Sequence, residues 1–79
     1  MQYHIHQANP PLFTEDVHQY RDYVGFVEAN SLEEAFRLSQ NGEKPWNEAK
    51  PCRSTSVGDI IQAPDGFYMV KNIGFQKLS

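Results

Sequence analysis

Polar and apolar residues alternate through Gln2-Tyr3-His4-Ile5-His6-Gln7, which puts Tyr3 and Ile5 on one side and His4 and His6 on the other. A period of two over this length predicts a strand with one buried face. The same period returns over 20–29, where Tyr23, Gly25, Val27 and Ala29 are expected to face one way and Val24, Phe26 and Glu28 the other. Between them, Asn9-Pro10-Pro11 ends the first strand, because proline cannot continue a central ladder. Residues 12–19 read as an irregular loop with room for one helical turn, in which Thr14 would be the cap and Glu15 and Asp16 the first positions.

The period changes after Asn30. Ser31-Leu32-Glu33-Glu34 has the form of a capping box, with Ser31 accepting from the Glu34 N–H and the Glu34 carboxylate reaching back to the N–H of Ser31. Leu32, Ala35 and Phe36 then share one helical face, flanked by Leu38 and Ser39. Asn41-Gly42 is the expected stop, Gly42 taking the left-handed position. A helix of about ten residues is marginal alone in water, so its narrow apolar face must dock on the sheet. Residues 43–53 form a loop broken by Pro45 and Pro51, with Trp46 as its one large apolar residue. Trp46 reads first as a plug that closes one end of the core and pins the loop, with an exposed binding anchor as the alternative.

The C-terminal third predicts a meander. Gly58 permits a sharp entry and the Asp59 carboxylate accepts backbone N–H groups there. The β-branched run 59–63 leads to Pro64-Asp65-Gly66, a turn in which Pro64 presets φ, Asp65 tolerates the second corner and Gly66 supplies φ > 0 for a three-residue hairpin with a bulge. On the return, Phe67, Met69 and Lys71 share one face, and Tyr68 and Val70 the other. After Asn72, residues 73–78 read as a third strand with Ile73, Phe75 and Lys77 on one side, Gly74 marking a bulge or a close backbone approach. Together these elements define one small α+β domain over 1–79: an antiparallel sheet of about five strands, strongly curved, with closure into a barrel as an alternative, and one helix packed across it.

Length and charge narrow the function classes. At 79 residues the chain has just enough length for one core, and five Phe, four Tyr and one Trp supply large buried area for few residues. The net charge of -3 gives no general attraction to phosphate backbones. Residues 1–49 carry a net of -5 and residues 50–79 a net of +2, which is one weakly basic end. The single Cys52 forms no internal disulfide and, with no stretch long and apolar enough to span a bilayer and no basic and apolar leader in MQYHIHQANPP, points to a reducing, cytoplasmic setting.

Candidate chemistry is sparse. His4 and His6 project two imidazoles to one side of a strand, and His18 would complete a three-histidine zinc site of the open type; solvent-facing strand histidines are the simpler reading. Cys52 beside Lys50 and Arg53 has the charges that lower a thiol pKa, but no base or oxyanion hole is marked. Arg53-Ser54-Thr55-Ser56 is rich in donors suited to an anion or, more simply, to turn hydrogen bonds. No phosphate loop, dinucleotide fingerprint or HExxH is present in the sequence, and no cofactor is expected. The residues set aside as a contact surface are Trp46, Lys50, Arg53, Ser54 and Thr55.

The segment Ala29-Asn30-Ser31-Leu32-Glu33-Glu34-Ala35-Phe36-Arg37-Leu38, then Asn41, Pro45-Trp46, Arg53-Ser54-Thr55-Ser56-Val57-Gly58-Asp59-Ile60-Ile61 and Gly74-Phe75 resemble a set of small, mostly uncharacterised proteins of bacteriophages and mobile elements. Their C-terminal part looks like the YodL-type domain. The resemblance implies a phage or plasmid origin and an intracellular life, and no activity. The expectation is a non-enzymatic accessory protein that binds a host protein to inhibit a defence system or redirect host machinery. The alternative is a weak nucleic-acid binder using Lys50, Arg53, Lys71 and Lys77, with Tyr68 or Phe67 as a stacking platform.

Overall fold

The structure is a computed structural model and describes residues 1–8 and 21–78. Its elements are β1 (Gln2–Ala8), β2 (Arg21–Glu28), α1 (Leu32–Leu38), β3 (Ile60–Ala63), β4 (Gly66–Val70) and β5 (Phe75–Lys77). The strands form one five-stranded antiparallel sheet in the order β2-β1-β3-β4-β5. The sheet stays open at β2 and β5 and does not close into a barrel. The expectations over 9–20, including the Pro10-Pro11 break, the Thr14 cap with Glu15 and Asp16, and His18, lie outside the described residues.

One face of the sheet carries the core. Tyr3 and Ile5 from β1, Val24 from β2, Ala29, Ile61 and Ala63 from β3, and Val70 from β4 gather around Ala35 of the helix. Leu32 and Phe36 pack against this cluster, as the helical spacing predicts. On the other face, His6, Ile60, Met69 and Gln76 form one cross-strand row. Ile60 and Met69 are fully buried there, so β4 is dry on both faces where Met69 meets Val70.

Strand β2 departs from strict alternation. Ile5 faces Gly25 while His6 faces Tyr23, so Val24 is an extra residue and the ladder carries a bulge. The bulge turns Val24 inward and leaves Tyr23 and Phe26 on the outside, each 47% exposed. The expected facing of Tyr23 with Val27, and of Phe26 with Val24, is therefore corrected. Gly25 makes this possible at φ 142°, where side chains are rarely tolerated, and a Cβ would collide with the Asn47 side-chain amide.

The helix begins as predicted and ends sooner. Ser31 Oγ accepts from Glu34 N at 3.1 Å, but the Glu34 carboxylate reaches the N–H of Asn30, at 3.0 Å, rather than that of Ser31. Ser39 caps the C-terminus: its N–H bonds Ala35 O and Phe36 O, and its hydroxyl and the Gln40 amide both donate to Phe36 O. Side chains thus terminate α1, and Gly42, which is not among the glycines of positive φ, does not act as the stop.

The meander closes with three further corrections. Ala63 pairs directly with Gly66, so Pro64-Asp65 is a two-residue connection, with Gly66 at φ 144° as the first residue of β4. Ile73 is not a strand residue; it stands 95% exposed in the turn closed by Lys71 N to Gly74 O at 3.1 Å. Gly74 serves that turn through φ 73° and makes no close backbone approach, since a Cβ there meets open space. No helix of the described residues is long and apolar enough to cross a membrane.

Gly25→Ala is expected to destabilise the domain by about 1–3 kcal/mol, because it adds strain at a positive-φ position and a collision with Asn47. Thermal unfolding followed by circular dichroism checks this, with a Tm drop of several degrees as the expected result and an unchanged Tm as the contrary one.

Candidate binding surface

The donor-rich run that begins at Arg53 folds into an internal clamp. Asp59 is fully buried at the entry to β3, and its carboxylate accepts from Arg53 Nη1 at 2.7 Å and Arg53 Nη2 at 2.8 Å. Backbone donors fill the remaining sites: Ala8 N at 3.1 Å on one oxygen and Ser56 N at 2.9 Å on the other. Arg53 also donates to the carbonyls of Ala8 and Ser54 and to Ser56 Oγ. The Asp59 hydrogen bond holds the guanidinium above its ordinary pKa against the opposing effect of burial. Gly58, at φ 95°, turns the chain into this site and offers its carbonyl to the Arg21 guanidinium, at 3.1 Å from Nε and 2.9 Å from Nη2.

The remaining residues set aside as a contact surface are used in the same way. Trp46 is half-buried against the core, its indole N–H donating to Arg53 O at 3.1 Å, a carbonyl that also accepts from Gln7 Nε2 at 2.8 Å. The plug reading of Trp46 matches this geometry. Ser54 Oγ accepts from Asn41 N at 2.7 Å. Lys50 Nζ donates to Tyr23 O at 3.3 Å, and the neighbouring Asn47 amide donates to Val24 O. The loop thereby covers two carbonyls of β2 at its bulge. Thr55 is only 2% exposed, with its backbone tied to Ser39 O and Gln40 Nε2. Its Oγ1 has no hydrogen-bond partner among the described residues.

Cys52 borders a polar hollow of about 290 Å³ with Gln7, Asp22, Val24 and Arg53. Burial pushes its thiol pKa up, and the Lys50 and Arg53 charges oppose this without reversing it. The activating effect that the sequence suggests for those two cations is therefore outweighed, and Arg53 is already committed to Asp59. Among the described residues no group of three or more His, Cys, Asp or Glu is placed to hold a metal ion; His18 lies outside them.

A different surface emerges on the outer face of the sheet. Cross-strand pairing sets His4 beside Phe26 and Gln62, His6 beside Tyr23, and Gln62 beside Phe67. The rings are in contact across these strands: His4 lies 5.7 Å from both Tyr23 and Phe26, and His6 lies 5.4 Å from Tyr23 and 6.2 Å from Phe67, centroid to centroid. His4 Nδ1 and the Tyr23 hydroxyl are hydrogen-bonded at 3.0 Å, and His6 Nε2 donates to Gln62 Oε1 at 3.3 Å. The periodicity placed His4 and His6 here. Tyr23 and Phe26 were legible only to a reader who took Gly25 as a bulge, the usual meaning of a glycine inside a strand.

Of the basic residues of the C-terminal part, Lys77 is drawn to the hairpin turn. Lys77 Nζ lies 3.8 Å from Asp65 and 5.9 Å from the Tyr68 ring centroid. Tyr68 faces Ile61 on the core side while Phe67 faces Gln62 on the outer side, so the two rings do not form one stacking platform. Tyr68 donates to Asp65 at 2.8 Å, which holds the carboxyl below its ordinary pKa and the phenol above its own.

No family model matches the chain, and no curated protein or solved structure matches it.

Arg53→Met is expected to cost about 3–5 kcal/mol, because it leaves the Asp59 carboxylate buried and uncompensated. Urea titration reads this as a large fall in midpoint, and a near-normal midpoint would contradict the clamp. Thr55→Val keeps both backbone bonds and removes an unsatisfied hydroxyl, so the same titration should show stability unchanged or raised by up to about 1 kcal/mol.

Proposed function

We propose that this domain is a non-enzymatic protein-binding module, an accessory protein of the phage or mobile-element kind that engages a host protein in the cytoplasm through the outer face of its sheet. The observation that carries this reading is the pair Tyr23 and Phe26 on β2, each 47% exposed and each in ring contact with His4 of β1. Aromatic side chains bring large contact area at low conformational cost and dominate the energetics of protein interfaces. The sheet holds these rings rigidly, so less ordering remains to be done on association. The sequence resemblance to small phage proteins is what favours a host protein as the partner, and inhibition of a defence system or redirection of a host machine as the outcome.

A nucleic-acid role finds less support. Arg53 is bound to a buried carboxylate and Lys77 lies beside Asp65, so two of the four cations of that reading are already paired with carboxylates of the chain itself. Phosphate binding needs cations free to track the backbone.

The test is capture from nuclease-treated host lysate at physiological salt, identification of the retained protein, and titration of that purified protein against wild type and Tyr23→Ser/Phe26→Ser. Loss of affinity of roughly tenfold or more in the double variant, with its fold intact, is the expected result. An identified partner that binds wild type and double variant equally would sink the assignment to this face, and failure to retain any host protein would sink the module itself.

A further inference from the structure

The loop over 43–53 is latched at its start by one side-chain amide. Asn41 Nδ2 donates to Cys52 O at 2.8 Å and Asn41 Oδ1 accepts from Trp46 N at 2.9 Å, so a single residue ties both ends of the loop. Ser54 Oγ holds the Asn41 N–H at 2.7 Å. The residue chosen for the latch is chemically labile. Asparagine is thermolabile, and it is most open to attack by the next backbone nitrogen where that neighbour is glycine, because no Cβ stands in the way. Of the five asparagines only Asn41 precedes a glycine. Asn41 and Gly42 are both exposed, and a Cβ on Gly42 would meet nothing within 4 Å, so water reaches the pair.

We propose that Asn41-Gly42 is a site of self-modification by deamidation, which the folded loop holds back and whose product releases the loop. The Gly42 nitrogen gives its proton to hydroxide and bonds to Asn41 Cγ. The Cγ–Nδ2 bond then breaks, and ammonia leaves with a proton taken from water, which restores the hydroxide. A second water opens the cyclic imide to aspartate or isoaspartate at position 41. In the fold both reacting groups are engaged: the amide by Cys52 O and Trp46 N, and the Gly42 N–H by Lys44 O at 3.2 Å. Reaction therefore proceeds from a locally opened loop. Two hydrogen bonds of ordinary net strength hold that open state down by about tenfold or more. After conversion the latch does not re-form. A carboxylate only accepts, so the bond to Cys52 O is lost and two oxygens face each other there. The contacts of Asn47 with Val24 O and of Lys50 with Tyr23 O hang from the same loop and loosen with it. The conversion does not depend on the binding role proposed for the outer face.

Peptide-mapping mass spectrometry reads conversion of each asparagine, and isoaspartate formation, while the full chain is incubated at one mildly alkaline pH and temperature, native or in guanidinium chloride. In the denatured chain position 41 should convert ahead of the other asparagines, and in the native chain at least about tenfold more slowly. Gly42→Ala places its Cβ in open space, so it should keep the fold and slow conversion in the denatured chain severalfold. Release of the loop is read with Asn41→Asp under digestion by a glutamyl endopeptidase, since Glu43 and Glu48 are both exposed. Cleavage in the loop should be about tenfold faster than in wild type, with the circular dichroism spectrum retained. Equal rates in native and denatured chains would overturn the restraint by the fold. No conversion at position 41 in the denatured chain would overturn the site, and equal cleavage of wild type and Asn41→Asp would overturn the release.

Discussion

The fold hangs on the ion pair between Arg53 and Asp59. A carboxylate at zero exposure in a chain of 79 residues is tolerable only if each oxygen is fully engaged, and here each receives one guanidinium nitrogen and one backbone N–H. The pair also fixes chain path. Ala8, the last residue of β1, gives its N–H to Asp59 and its carbonyl to Arg53, so the exit from one strand and the entry to β3 are held by the same two side chains. The Arg53 carbonyl then accepts from Gln7 and Trp46, which seats the loop against the first strand. Of the run that reads as an anion site in isolation, Arg53 and Ser56 are the internal partners of a buried anion of the chain itself.

How much of this was legible depends on the range of the interaction. Ser31 with Glu34, and Pro64-Asp65-Gly66, act over a few residues, so the Ser31 cap and the hairpin follow from residue type, while the donor to the Glu34 carboxylate and the loop length each differ by one residue from expectation. The strand at the N-terminus was legible because Tyr3 and Ile5 alternate with His4 and His6 without interruption. Helix termination was less so. Gly42 is the stronger local signal, yet Ser39 and Gln40 satisfy the last turn first, with Gln40 stretched between Phe36 O and Thr55 O. That second bond spans 15 residues and has no signature in a local pattern. The same holds for the loop 43–53: its Asn47, Lys50 and Trp46 contacts are made to β2 and Arg53, and nothing near them in sequence announces it.

The outer face illustrates how one inserted residue redistributes chemistry. Without the bulge at Val24, alternation would turn Phe26 inward if Tyr23 stayed outside. With it, Tyr23 and Phe26 both flank the histidines of β1, and the core still receives Val24 and Val27. The glycine that permits the bulge is braced by Asn47 and Trp46 of the loop, so the ring surface and the Arg53 clamp are mechanically continuous through that loop.

The amide and ammonium groups that Asn47 and Lys50 lay over Val24 O and Tyr23 O also set a polarity on the molecule. Growth of a filament by strand addition needs two receptive borders, one to give and one to take. On the β2 border two carbonyls are already taken by side chains of the loop, and the other border is a strand of three residues. Among the described residues, fewer positions are thereby left on either border for an added strand, which works against fibre growth by a small chain that exposes aromatic rings.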